Sequence, residues 1–295
     1  MTNNIFVLGG GSNLLITQNF KGAIIKINIQ GVDVIKETDN YVLVRVGAGE
    51  NWHKFVMWAV EKKFYGIENL ALIPGEVGAS PIQNIGAYGM EVKDVIEEVE
   101  AISIAKLKSN LFTNKQCKFS YRNSYFKSEA KGKYIITSVV FKLNKNKEFN
   151  ISYGEIKGEL EKSLSPLSIK KVSQAVVRIR QRKLPNPNVL GNSGSFFKNP
   201  IASKSEFERI KRKFPDVIAF ELSDNKIKIA AGWMIEKLGW KTKKYCGVGV
   251  HKKQALVIVN YNDASGNDIM NFAKRIQMDV QENFGITLES EVNII

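Results

Sequence analysis

The spacing of apolar residues changes several times along the chain, and each change predicts an element. Ile5-Phe6-Val7-Leu8 is a short apolar run of the kind that forms a buried strand, and residues 23–28 and 41–46 alternate as strands do. Over 50–63, Trp52, Phe55, Val56, Ala59 and Val60 recur at helical spacing, which predicts an amphipathic helix with its aromatics and His53 in the core or on the helix surface. Residues 99–104 and 134–143, rich in β-branched side chains, read as strands. Over 168–183, Ile169, Val172, Val176 and Ile179 form a helical stripe, while Lys170, Lys171, Arg178, Arg180, Arg182 and Lys183 read as a solvated face. Leu184-Pro185-Asn186-Pro187-Asn188 stops that helix and marks a subdomain boundary. Beyond it, 205–213, 226–238 and 265–284 read as helices and 254–260 as a strand. The last helix is the best signalled, with Ser265 and Asp268 spaced as a capping box and Gly285 as its stop.

Composition narrows the class. The chain has 295 residues, enough for two or three subdomains, with 44% hydrophobic and 24% charged residues. No apolar run approaches the ~20 residues of a membrane helix. Met1-Thr2-Asn3-Asn4 lacks the basic start of a secretory signal. Cys117 and Cys246 suggest neither a disulfide framework nor a metal spacing, which fits a reducing cytoplasm, and His53 and His251 are too few for a histidine metal site. The net charge of +14 would not hinder polyanionic partners, but lysine-rich drift along the whole chain accounts for the larger share of it.

Three stretches carry candidate chemistry. Gly9-Gly10-Gly11-Ser12-Asn13 follows the first strand, and such a loop brings backbone N–H groups to phosphate oxygens. It lacks the dinucleotide spacing G-x-G-x-x-G, so a tight turn is the competing reading. The run from Pro74 to Gly89 holds four glycines and two prolines, with Ser80, Gln83 and Asn84 as uncharged hydrogen-bonding side chains. It is too apolar for a plain surface turn and suits a large, flat, partly anionic ligand. Gly191-Asn192-Ser193-Gly194-Ser195-Phe196-Phe197-Lys198-Asn199-Pro200 is no nucleophile elbow, because G-x-S-x-G is absent; the bland reading is a polar turn before a strand.

The run from Glu68 to Gly75, continued by Ser80-Pro81-Ile82-Gln83-Asn84-Ile85-Gly86-Ala87-Tyr88-Gly89, closely resembles the flavin loop of the bacterial UDP-N-acetylenolpyruvoylglucosamine reductase family. Tyr121-Arg122-Asn123-Ser124-Tyr125-Phe126, Ile151-Ser152-Tyr153-Gly154, Gly194-Ser195-Phe196-Phe197-Lys198-Asn199-Pro200, His251 to Leu256 and the ending Glu289-Ser290-Glu291-Val292 resemble further family segments. The resemblance spans nearly the whole chain. It implies an α+β flavoprotein: a two-part FAD-binding domain of the vanillyl-alcohol-oxidase (PCMH) type plus a C-terminal α+β substrate-binding domain. The parts would be 1–25 joined by 290–295, then 26–185, then 186–289. It implies FAD contacts from Gly9, Gly10, Gly11, Ser12, Asn13, Pro74, Gly75, Gly78, Ser80, Gln83, Asn84, Gly86 and Arg180. Tyr88, Tyr121, Tyr153, Lys183, Asn199 and Gln254 would meet substrate or the nicotinamide nucleotide.

The implied reaction is NADPH-dependent, FAD-mediated reduction of UDP-N-acetylglucosamine enolpyruvate to UDP-N-acetylmuramate for peptidoglycan. Arg122 would meet the substrate carboxylate, Glu291 would hold a proton beside it, and Ser195 would protonate carbon. A cytoplasmic monomer without metal, membrane or nucleic-acid partner is expected. Family members usually carry several dozen residues before the first glycine loop, so the first subdomain is expected to be incomplete and FAD affinity reduced. The alternatives are another flavin oxidoreductase of the same fold, with flavin attached covalently to His or Cys, a truncated inactive homologue, or a basic nucleic-acid-binding protein.

Overall fold

The computed structural model describes residues 4–162, 164–222 and 225–295. The chain divides into two compact units, one of residues 1–11 and 21–182, the other of 12–20 and 183–295.

The first unit is built on a five-stranded antiparallel sheet in the order Val32–Glu37, Tyr41–Gly47, Tyr134–Asn144, Ile96–Ser103, Ser109–Thr113. Alternation decides which face is buried: Val42, Val44 and Val46, with Val139, Phe141 and Leu143, are wholly inaccessible. The helix Trp52–Lys62 lies on that core, where Phe55 and Phe141 place their ring centroids 4.9 Å apart. Asn51 starts the helix by accepting the Lys54 N–H at 3.0 Å, and Lys63 ends it in the left-handed region. Ile5–Leu8 and Ala23–Lys26 pair in parallel, and the helix Ile169–Lys183 buries Ile169, Val172, Val176 and Ile179 as its stripe required.

The second unit has a four-stranded antiparallel sheet in the order Gly191–Ser195, Gln254–Asn260, Val248–His251, Lys244–Tyr245. A three-stranded sheet joins Ile201–Ser203, Lys226–Ile229 and Ala219–Glu221. Its helices are Lys204–Lys213, Ala231–Lys237 and Gly266–Phe284; the last has the predicted Ser265–Asp268 capping box and a left-handed Gly285 at its end. One expectation is corrected here. Residues 226–238 are not one helix: Lys226-Ile227-Lys228-Ile229 alternates, buries both isoleucines and forms the central strand, and a helix begins only at Ala231. Residues 191–195, whose bland reading is a polar turn, form a strand paired with Gln254–Asn260, with a register shift between Asn192 and Ser195.

Candidate active site

In the first unit the run 74–89 is rigid. Its main chain is fixed by the Trp52 N–H to the Gly75 carbonyl (3.1 Å), the Val77 N–H to the Glu50 carbonyl (2.8 Å) and the Gly78 N–H to the Ala48 carbonyl (2.9 Å). Buried amides tie the rest. Asn69 donates to the carbonyls of Tyr88 (3.0 Å) and Asn150 (2.7 Å), and Asn84 donates to Glu91 (2.9 Å) and to the Ser120 carbonyl (3.0 Å) while accepting the Lys93 N–H (3.1 Å). Leu72, Asn84 and Tyr88 all hold positive φ, at 59°, 45° and 50°. A run that keeps two such residues, with a third just before it, is over-determined by its surroundings, as pre-organised binding loops are.

Gly9 and Gly10 lie against this run. A Cβ on Gly10 would stand 3.1 Å from the Gly75 Cα, and one on Gly78 would stand 2.6 Å from the Ala48 Cβ, so side chains are excluded where the backbones meet. The Ser80 hydroxyl is buried without a hydrogen-bond partner. Two abutting glycine loops with an unsatisfied buried hydroxyl fit a dinucleotide bound by main-chain groups. Pro74 is exposed, while Gln83 and Gly86 are half-buried in the same run.

At the end of the loop three candidate residues gather. Ser120 and Asn123 bond each other's backbones at 3.0 and 3.1 Å, and this tight turn carries Tyr121 and Arg122. Arg122, at φ 52°, donates to the Gly86 carbonyl at 2.6 Å and lies over the Tyr121 ring at 5.4 Å. Arg180 turns inward, away from the solvated face expected for its helix, and its Nε donates to the Leu72 carbonyl at 3.2 Å. Burial lowers its pKa; the Tyr88 phenol opposes this and the Arg122 charge adds to it. Two mutually repelling guanidiniums beside a phenol favour an anion. His53 is held below its usual pKa by burial and by Arg180, and its Nδ1 accepts the Leu72 N–H at 3.1 Å. Tyr153 packs on the Gly89 side of the loop, its side chain 3.1 Å from where a Gly89 Cβ would stand. The outer face of the 169–183 helix is as charged as expected: Arg178 and Arg182, with Lys162, converge on the buried Glu159.

In the second unit Ser195 ends its strand opposite Val257, and the next residue donates its N–H to the Leu256 carbonyl at 2.7 Å. Phe196 and Phe197, each 1% exposed, anchor the run. The C-terminal segment lies alongside it: the Lys198 N–H meets the Glu289 carbonyl at 2.9 Å and the Glu291 N–H meets the Phe196 carbonyl at 2.8 Å. Ser195 and Glu291 therefore stand on neighbouring extended segments. Asn13 joins them, donating to the Glu291 carbonyl at 3.2 Å. Asn199 accepts the Ala231 N–H at 3.0 Å, at the start of the helix Ala231–Lys237. Gln254 opens the strand that pairs with that of Ser195, Ser12 is half-buried next to Asn13, and Lys183 ends the helix at the unit boundary.

Asn69, Glu76 and Glu91 were not singled out from sequence. Asn69 lies within the resembling run, where the glycines drew the reading, Glu76 between its two parts, and Glu91 just past its end. Among the described residues, no three or more His, Cys, Asp or Glu side chains are grouped to hold a metal, and no helix is long and apolar enough to cross a membrane.

Residues 3–106 match the family model of the FAD binding domain. Together with the paired glycine loops, this defines a flavin-dependent oxidoreductase. Residues 186–295 match the model described as UDP-N-acetylenolpyruvoylglucosamine reductase, C-terminal domain. The chain is 51% identical over 292 residues to the UDP-N-acetylenolpyruvoylglucosamine reductase of Flavobacterium johnsoniae, covering 98% of this chain and 87% of the relative. It is 46% identical over 285 residues to that of Bdellovibrio bacteriovorus, covering 97% and 84%. The crystal structure of the Thermus caldophilus reductase shares the fold, with a TM-score of 0.68 at 23% identity over 98% of this chain and 85% of that one. The chain belongs to the UDP-N-acetylenolpyruvoylglucosamine reductase family. It is an enzyme of peptidoglycan precursor synthesis, with FAD as cofactor and NADPH as hydride donor.

Proposed function

We propose that Arg122, Ser195 and Glu291 carry the reduction of UDP-N-acetylglucosamine enolpyruvate to UDP-N-acetylmuramate. The reading is supported by the backbone bond between Glu291 and Phe196, which registers the last glutamate against the residue that follows Ser195. FAD held by the glycine loops would supply the hydride chemistry between NADPH and the vinyl carbon. What remains is charge and proton management by the chain. Negative charge builds on the substrate carboxylate as the vinyl carbon accepts hydride, and a fixed guanidinium stabilises it without reorganisation. Arg122 supplies that cation, already clamped by the Gly86 carbonyl. Glu291, protonated beside the carboxylate, donates a hydrogen bond. Ser195 then gives its proton to the α-carbon; a hydroxyl is a weak acid, but the carbon centre is a strong base.

Gly9, Gly10, Gly11 and Gly75, with Ser80, hold the cofactor through main-chain groups and one hydroxyl, and Gly78, bonded to the Ala48 carbonyl, lets the loop pack closely beneath it. Ser12, Asn13, Pro74, Gln83, Asn84, Gly86 and Arg180 complete its surroundings. Tyr88, Tyr121, Tyr153, Lys183, Asn199 and Gln254 face substrate and nucleotide. The working form is a cytoplasmic monomer without nucleic-acid partners, and the three-part division at residues 25, 185 and 289 describes its binding regions.

Purified protein is expected to be yellow, and denaturation to release free FAD. NADPH oxidation beyond one equivalent per flavin is expected only when the enolpyruvyl sugar nucleotide is added. Flavin left attached to the polypeptide, or NADPH oxidation indifferent to that substrate, would overturn the reading.

A further inference from the structure

Glu76 stands between the two glycine loops, and one of its carboxylate oxygens has no hydrogen-bond partner. Oε1 pairs with Lys26 Nζ, which also donates to the Gly9 carbonyl at 3.0 Å. Oε2 is buried and unpaired, and a Cβ on Gly9 would stand 3.4 Å from it, so this oxygen lies against the backbone of the first loop. The side chain of Glu76 is 14% exposed and that of Lys26 51%. A buried carboxylate oxygen without a donor is costly, and it sits where the loops approach an anionic ligand. Phosphate oxygens cannot satisfy it, because they only accept. The donors that flank the diphosphate of FAD are sugar hydroxyls, whereas the adenine amine stands at the far end of the purine.

We propose that Glu76 is a cofactor-binding residue whose free carboxylate oxygen accepts a hydrogen bond from a sugar hydroxyl of FAD, with Lys26 neutralising its charge beside the diphosphate. The proposal rests on the flavin reading above. It assigns to an acidic residue of the second loop the part that an acidic residue plays toward a ribose in other dinucleotide sites. Lys26 makes this possible, since an unneutralised carboxylate would repel the diphosphate.

The test is titration of FAD into flavin-free protein, read by quenching of flavin fluorescence and by the rise in melting temperature at saturating FAD. Glu76→Ala is expected to weaken FAD binding by about ten-fold or more, the effect of losing a hydrogen bond to a charged group. Glu76→Gln, which keeps an acceptor oxygen, is expected to fall between the two. If Glu76→Ala melts below the parent without flavin, Glu76→Met, of similar length and without an acceptor, replaces it in the comparison. FMN in place of FAD separates the two sugars: a loss that persists assigns the ribityl chain, and one that disappears assigns the adenosine ribose. Equal or tighter FAD binding by the variant that lacks the acceptor would overturn the proposal. Failure of the parent itself to bind FAD would be a different result, contradicting the flavin reading.

Discussion

The backbone N–H of Glu291 donates to the carbonyl of Phe196 at 2.8 Å, so a residue five from the C-terminus is registered against the residue that follows Ser195. The pairing extends on both sides, through Lys198 with Glu289 and Asn293 with Asn13. Ser195 and Glu291, almost a hundred residues apart, thereby lie on neighbouring extended segments held by main-chain bonds that survive substitution of either side chain.

Changes to the Glu291 side chain should therefore report chemistry more than folding. As a hydrogen-bond donor in its protonated form, glutamic acid is partly replaced by the amide of glutamine. Glu291→Gln is expected to retain more turnover than Glu291→Ala, with the alanine variant slowed about 10²-fold or more and both melting within a few degrees of the parent. Equal loss in the two variants would argue for a carboxylate acting as a charge.

Asn69 fixes the flavin run at its far end. Asn69→Leu keeps the volume but strands the carbonyls of Tyr88 and Asn150. The cost is expected to be about 2–4 kcal/mol, read as a lowered urea midpoint with unchanged slope.

Gly78→Ala places a methyl 2.6 Å from the Ala48 Cβ, closer than real Cβ contacts come. The loop or the strand must shift, and a destabilisation of about 1–3 kcal/mol is expected together with weakened FAD binding. Urea unfolding with and without FAD separates the two effects.

Acid should expose Glu159. Hydrogen bonds from Lys162, then Arg178 and Arg182, outweigh burial and hold its carboxyl down at about 2, against an ordinary 4.5. The folded state thus binds this proton more weakly than the unfolded chain, so the stabilisation is full above pH 4.5 and fades as pH falls toward about 2. Glu159→Gln is expected to be less stable than the parent at neutral pH, with the gap closing over that window. Melting temperatures of the pair from pH 7 to about 2 measure it.

Elements whose partners are local were legible. The helices over Trp52–Lys62, Ile169–Lys183 and Gly266–Phe284 followed from their stripes, and the last also from its cap, because these signals lie within a few residues. The edge strands Val32–Glu37 and Ser109–Thr113 were not, since their half-polar sequences become strands only through neighbours already in the sheet. Lys226-Ile227-Lys228-Ile229 was absorbed into the helix that follows it, although its period of two distinguishes it. At the site, glycines announced the loops, but the residues that hold them could not be read, because the partners of Asn69 and Asn84 stand up to 81 and 36 positions away. Arg180 sits in a run of cations; only the fold shows which of them turns inward.

The most direct test of the account separates the two half-reactions in Ser195→Ala. Reduction of FAD by NADPH needs no proton delivered to carbon, whereas reduction of the enolpyruvyl group does. In stopped flow, bleaching of the flavin by NADPH is expected to proceed near the parent rate. Return of the yellow colour on adding UDP-N-acetylglucosamine enolpyruvate is expected to slow by about 10²–10⁴-fold, the range of general-acid catalysis. Bleaching slowed as much as recolouring would contradict the assignment, making Ser195 a structural or nucleotide-binding residue.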